Sequence, residues 1–362
     1  MSRRLIIAGG GTGGHIFPAL AIAGALKKMD SSLELLFVGA KGKMEMEKIP
    51  QAGYTIVGLD IAGFNRSSLL KNIGLLWKLL KSFWQVRQLF KQFRPHAVLG
   101  VGGYASFPVL RYAQAIGIPN FLHEANSFAG RTNQLLAKKA TTVFAGVKGL
   151  EKFFAQATVC FTGNPVRTSI VQSIVPAEAG RLHFGLDPAG PTLFVVGGSL
   201  GAHSINLAIE HGLDRLVKAG VQLIWQTGKN EELRLRQLIQ RYQGVWVAPF
   251  INEMEYAYAA ADLVVARAGA LTVAELAVAE KPVVFVPFPL AAEDHQTANA
   301  KQLVEQQAAL LVTDGEAQQK LIAVVLDLIM DKTKLLQMQT QIKTFGVRDA
   351  DQRIATEIMK WI

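Results

Sequence analysis

Residues 5–26 read LIIAGGGTGGHIFPALAIAGAL. An apolar run enters a six-residue turn, residues 9–14, in which only Thr12 is not glycine, and an amphipathic run leaves it. A buried strand, a glycine turn and a helix open a doubly wound α/β unit. The same pattern returns in LFVVGGSLGAH, which lies over LIIAGGGTGGH at a constant offset of 188 and matches His15 to His203. Between and after the two copies, short apolar runs (LELLFVG, HAVLGVG, PNFLHE, ATTVFAG, VQLIWQTG, GVWVAPF, ADLVVARAG, KPVVFVPF) alternate with helical patterns. Such alternation predicts parallel sheets with crossover helices. The expected fold class is therefore α/β, with two doubly wound Rossmann-like domains. The boundary is placed in FTGNPVRTSIV, where Pro165 follows the last N-terminal strand, giving domains 1–164 and 165–345 and a C-terminal helix, about 346–362, that can return to the first. Ligands bind outside the carboxyl ends of strands in open α/β sheets, so the expected site is a central cleft faced by both domains.

Composition narrows the function. The chain has 362 residues, half of them hydrophobic, and one cysteine, Cys160, so no intramolecular disulfide is possible. The basic start MSRR runs straight into LIIAG with no signal-peptide core, which points to the cytoplasm. No uninterrupted apolar stretch reaches the ~20 residues a spanning helix needs. The net charge of +10 belongs to one half, because residues 1–150 carry 19 Lys and Arg against 6 Asp and Glu. A partner of that half is expected to be anionic: nucleic acid, lipid headgroups or a phosphorylated substrate.

Glycines 9, 11 and 14 have dinucleotide spacing, but the second strand ends in Gly39, Ala40 and Lys41 instead of the acid that grips a ribose. A P-loop lysine is also missing, since His15 and Ile16 stand there. What remains is an anion or oxyanion cradle at a helix start whose first turn Pro18 pre-sets, or a tight turn without a ligand. His15 at that positive helix end is expected to stay neutral, serving either as a base or as a structural cap. In the second half, DLVVARAGALTVAELAVAEKPVVFVPFPLAAEDHQTAN, residues 262–299, places a glycine turn after Arg267 and a helix from about Ala270. The amides of Ala270, Leu271 and Thr272 are positioned for a diphosphate, and Glu275 either accepts from a ribose diol or is a helix-start carboxylate.

GGGTGGHIFP, GVGGYASFP, HEANSFAG, GNPVR, VVGGSLGA and RAGALTVAE…KPVVFVPFP…HQTANA occur in order along the whole chain. Together they closely resemble the MurG family, bacterial N-acetylglucosaminyltransferases that turn lipid I into lipid II in peptidoglycan synthesis. The resemblance implies a GT-B fold and inverting transfer from UDP-N-acetylglucosamine to the muramyl C4 hydroxyl of lipid I, without a metal or other cofactor. It implies Glu275 as the ribose ligand, Ser199 with the amides of Ala270, Leu271, Thr272, Val273 and Ala274 as the diphosphate site, and Ile251 as the uracil contact. By the same resemblance Arg167 neutralises phosphate, Gln296 with Asn299 reads sugar hydroxyls, and Thr12, Gly13, Gly14 and Asn126 complete the donor pocket. One departure is Ala125, where the family's HEQN has glutamine. His15 is the first candidate for the base and Glu124 the second. DAD at 349–351 looks like the acidic triplet of metal-dependent transferases but reads as a solvated helix face, so no metal ligand is assigned.

Residues 69–93, LLKNIGLLWKLLKSFWQVRQLFKQF, hold five basic residues and no acid. At helical spacing Ile73, Trp77, Leu80 and Trp84 form one stripe and Leu75, Leu79, Val86, Phe90 and Phe93 another. One stripe docks on the domain; the other, Ile73, Trp77, Leu80 and Trp84 with its two tryptophans among lysines, is expected to enter an anionic membrane surface, unless the helix is buried on both sides. No RNA- or DNA-binding signature accompanies the charge, so nucleic acid is not expected. The expected location is peripheral, on the cytoplasmic face of the plasma membrane. The rival readings are another GT-B transferase acting on a lipid, a UDP-N-acetylglucosamine 2-epimerase, and a non-catalytic membrane scaffold.

Overall fold

Strand runs such as Leu5–Ile7 are apolar at every position, not at alternate ones, and a parallel strand covered on both faces requires this. The computed structural model describes residues 3–61, 74–198 and 201–362. It divides into two units, one running to Arg167 and rejoined by Asp349–Ile362, the other Thr168–Arg348.

In the first unit, β1 (Arg4–Ala8), β2 (Glu34–Ala40), β3 (Ile56–Leu59), β4 (Ala97–Gly100), β5 (Asn120–Glu124), β6 (Thr142–Ala145) and β7 (Val159–Phe161) form a parallel sheet in the order β3-β2-β1-β4-β5-β6-β7. Leu5, Ile7, Phe37, Leu99 and Phe121 face the helix Gly13–Met29 and the C-terminal helix Ala350–Met359. Ile6, Ala8, Val38, Val98 and Leu122 face the other way, onto the helices Leu75–Phe93, Ser106–Ala115 and Arg131–Ala137.

In the second unit, β8 (Thr192–Val196), β9 (Gln222–Gln226), β10 (Val245–Ala248), β11 (Leu263–Ala266), β12 (Val283–Phe285) and β13 (Leu310–Leu311) repeat that order as β10-β9-β8-β11-β12-β13, again parallel. Each unit therefore reverses its strand order beside its first strand, where the glycine turn stands.

Three local expectations change. The helix Gly13–Met29 is apolar around most of its circumference, with Ile16, Ala19, Ile22, Ala23 and Leu26 buried, because the returning residues Ile354, Ala355 and Ile358 join the sheet in covering it. Pro18 lies inside this helix, beyond the first turn that it was expected to set. DAD is not a wholly solvated face: Ala350 is buried, Asp351 is half-buried with its carboxyl raised above the ordinary value by that burial, and Asp349 pairs with Arg353.

Candidate functional site

The first unit's glycine turn carries its own anion. The turn Gly9–Gly11 runs at positive φ, and its Gly11 amide donates to Glu45 Oε2 at 2.7 Å while Ala40 N donates to Glu45 Oε1 at 3.0 Å. Glu45 is 1% exposed, and a Cβ on Gly10 or Gly39 would stand 2.3 or 2.5 Å from its side chain. The expected anion cradle is thus filled at Gly11 by a carboxylate of the same chain, and Gly10 in the turn with Gly39 on β2 leaves room for it. The ribose rule looks for an acid at the end of β2, whereas this acid stands five residues further, at the start of a helix; that is why the sequence reading missed it.

His15 stands in the first turn of the helix that Thr12 caps. Its Nδ1 lies 3.0 Å from Gly10 O, and Thr12 Oγ1 is at 3.5 Å. A carbonyl only accepts, so Nδ1 carries the proton and, in the neutral ring, Nε2 carries the lone pair. A Cβ on Gly102 would lie 2.7 Å from Nε2, so the backbone of GVGGY passes directly along the ring edge. Behind it on β5, His123 is fully buried; burial first, and His15 nearby second, hold its pKa down at about 4.

Glu124, the second candidate for the base, is held by the loop that follows it. It is buried at the end of β5 and accepts from Asn126 N and Nδ2 at 3.1 and 3.4 Å, Gly130 N at 3.1 Å and Asn133 Nδ2 at 2.8 Å. Four donors match the acceptor capacity of a carboxylate, so Glu124 shapes the loop that carries Asn126. Arg167, at the end of this unit, places its guanidinium 4.5 Å above the ring of Phe17.

In the second unit the helix Ala270–Val278 begins at Gly269, and its first i→i−4 bond is Val273 N to Gly269 O at 3.0 Å. Ala270, Leu271 and Thr272 therefore present amides that the helix itself does not use, and Ala274 follows Val273 in the next turn. Glu275 is 3% exposed, and Tyr258 Oη donates to its Oε2 at 3.0 Å; Tyr258 is a site residue that spacing alone did not reveal. Ile251 is buried beyond β10, its amide donating to Gln226 Oε1 at 2.9 Å, while Gln226 Nε2 donates to Gly198 O at 3.0 Å. Gln226 thus links the glycine turn to the expected uracil contact. Gln296 opens the helix His295–Val304 and accepts from Phe288 N at 2.9 Å. Asn299, expected beside Gln296 at the sugar, is buried, and its Nδ2 donates to Ala268 O at 3.0 Å, bracing the turn before Gly269.

Ser199 and Ile73 lie outside the described residues. On the helix Leu75–Phe93, Val86, Leu89 and Phe90 are buried, whereas Trp77, Leu80 and Trp84 are 74%, 55% and 59% exposed. This helix is therefore not covered on both sides. Among the described residues no helix is long and apolar enough to cross a membrane, and no group of three or more His, Cys, Asp and Glu is arranged to hold a metal ion.

The description "Glycosyltransferase family 28 N-terminal domain" matches residues 5–145, and "Glycosyltransferase family 28 C-terminal domain" matches residues 192–354. A protein of Parabacteroides distasonis is 45% identical over 99% of this chain and 98% of its own, and one of Cytophaga hutchinsonii is 44% identical over 99% and 97%. Both are named UDP-N-acetylglucosamine–N-acetylmuramyl-(pentapeptide) pyrophosphoryl-undecaprenol N-acetylglucosamine transferase. The crystal structure of Acinetobacter baumannii MurG matches with a TM-score of 0.77 at 29% identity, covering 99% of both chains. A Listeria monocytogenes protein described as a UDP-N-acetylglucosamine 2-epimerase matches with a TM-score of 0.69 at 14% identity over 99% and 97%, a likeness of fold alone. The chain belongs to glycosyltransferase family 28 and, within it, to the MurG family of N-acetylglucosamine transferases.

Proposed function

We propose that the chain transfers N-acetylglucosamine from UDP-N-acetylglucosamine to the muramyl C4 hydroxyl of lipid I, giving lipid II for peptidoglycan synthesis. The acceptor oxygen bonds to the anomeric carbon as the bond from that carbon to the diphosphate breaks, and the configuration inverts. The hydroxyl proton passes to His15 Nε2, and the charge gathering on UDP is met by the amides of Ala270–Thr272 and by Arg167 without a metal. Glu275, held by Tyr258, accepts from the ribose, Ile251 meets the uracil, and Gln296 reads the sugar.

The observation that carries this assignment of roles is the bond from His15 Nδ1 to Gly10 O, which leaves the neutral imidazole basic at Nε2. An epimerase with the same fold does not need a lipid-binding face. The exposed Trp77, Leu80 and Trp84, with Lys78 and Lys81 between them, favour a transferase working peripherally on an anionic membrane, at its cytoplasmic face. Labelled UDP-N-acetylglucosamine and a lipid I analogue, incubated with the protein in excess chelator, are expected to give a β1,4-linked disaccharide. Release of free sugar alone, epimerised donor, or nucleotide binding without turnover would each defeat the assignment. Sedimentation with vesicles containing anionic lipid tests the surface: Trp77→Glu with Trp84→Glu is expected to abolish binding while disaccharide formation from a water-soluble acceptor persists.

A further inference from the structure

Arg267 follows β11 and is seven-eighths buried at its side chain, yet no role above uses it. Its Nη1 donates to Val286 O at 2.9 Å, to Pro287 O at 3.1 Å and to Asp314 Oδ1. Its Nη2 donates to Ser204 Oγ at 3.0 Å, and Ser204 in turn donates to Asp314 Oδ1. The guanidinium also lies 5.4 Å from the centre of the Phe288 ring. One side chain thus joins the ends of β11 and β12, the start of the helix His203–Lys218 and the turn at Asp314. Only a planar fork with five N–H donors can do this; a lysine ammonium has three and no flat face to lay against a ring. Because Asp314 matches its charge, Arg267 is not a counter-ion for a nucleotide diphosphate.

The segment it grips, 286–288, decides how Gln296 is turned. The Phe288 amide can only donate, so the Gln296 side-chain oxygen must face it and the amide nitrogen must face away. We propose that Arg267 is a positioning residue of the donor site: by holding residues 286–288 it fixes Gln296 with its N–H groups toward the sugar, so that sugar hydroxyls are read as acceptors. The proposal rests on Gln296 being the sugar contact. It distinguishes sugar recognition, which depends on Arg267, from nucleotide recognition, which does not.

The test compares Arg267→Lys, Asp314→Asn, Gln296→Ala and Arg267→Lys with Gln296→Ala in the full-length chain. The readouts are KM and kcat for UDP-N-acetylglucosamine, selectivity against UDP-N-acetylgalactosamine, and calorimetric binding of UDP, which has no sugar. Arg267→Lys is expected to raise KM about tenfold and narrow selectivity by a similar factor, with UDP affinity changed less than about twofold; Asp314→Asn follows in the same direction, less strongly. With Gln296 already alanine, Arg267→Lys should add nothing to the rise in KM. Additive losses, or UDP binding weakened in step with KM, would overturn the positioning role. An unfolded Arg267→Lys passes the same cycle to Asp314→Asn, which decides it by the same criterion. Unchanged KM and selectivity in Gln296→Ala alone would instead remove the reading of Gln296 on which the proposal stands.

Discussion

His15 and His203 occupy matching places in the two copies of the strand–turn–helix pattern, and the molecule uses them differently. His15 is folded back over its turn, bonded to Gly10 O and pressed along Gly102. His203 is 74% exposed at its side chain and turns outward to Glu231, 3.1 Å from its Oε1. The acids that follow the second strand of each unit diverge in the same way. Glu45 goes inward to the glycine-turn amide, while Glu231 goes to His203, Asn206 and Arg234 at the outer start of the helix. A duplicated scaffold preserves the turn because the βαβ crossover needs it; it does not preserve what the turn holds.

The largest effect that would break this comparison is at His15. His15→Ala is expected to lower kcat by about 10² to 10⁴, the usual contribution of a positioned general base, with UDP binding unchanged. A loss confined to UDP affinity would move His15 out of the chemistry and leave the two histidines alike.

His123 sharpens the contrast through pH. Its folded pKa of about 4 lies below the ordinary 6.5, so between these values the unfolded chain binds the extra proton. Stability from this group is complete above pH 6.5 and drains away as pH falls toward 4, by up to about 3 kcal/mol. Hydrogen exchange at pH 5 against pH 7 should show the loss in β5 and its neighbours, and His123→Leu should flatten it. A pH dependence unchanged in that variant would assign the effect elsewhere.

Next in size is Glu45→Gln. One amide oxygen cannot face two backbone donors with the geometry of a carboxylate, so either Gly11 N or Ala40 N meets an NH₂ group, at a cost of about 1 to 3 kcal/mol in chemical denaturation. Because the same turn supplies Gly10 O to His15, turnover should fall as well. Equal stability of variant and parent would mean that the turn holds its shape without its internal anion.

Most of the scaffold is legible in the sequence, for a physical reason. Parallel strands covered on both faces must be apolar at every position, so runs such as LFVV and DLVVA announce themselves, and the glycine turns mark which strand opens each sheet. The helix start at Ala270 was legible because amides at a helix start depend on the turn alone, not on tertiary partners. Roles that arise from side chains meeting across the fold were hidden. Nothing in the spacing of residues 45 and 11, 124 and 133, or 258 and 275 announces that Glu45 fills the glycine turn, that Asn133 closes around Glu124, or that Tyr258 holds Glu275. On the helix Leu75–Phe93, periodicity separated two apolar stripes, and the tryptophans among lysines marked which one is left outward. Burial of Val86, Leu89 and Phe90 assigns the inner one.

The smallest effect is the sharpest control on the comparison. His203→Ala removes an exposed partner from Glu231, which keeps Asn206 Nδ2 at 3.1 Å and Arg234 Nη2 at 2.9 Å. An exposed pair of this kind contributes about 0 to 1 kcal/mol, so stability should change by no more than that, and kcat and KM should each stay within about twofold. If His203→Ala instead lowered kcat as far as His15→Ala does, the outward turn toward Glu231 would not be the working arrangement, and the two glycine turns would have to share the chemistry. A small loss in KM alone would have a narrower meaning. Gln226 already links Gly198 to Ile251, so it would show that the helix start at His203 steadies that turn, leaving proton transfer with His15.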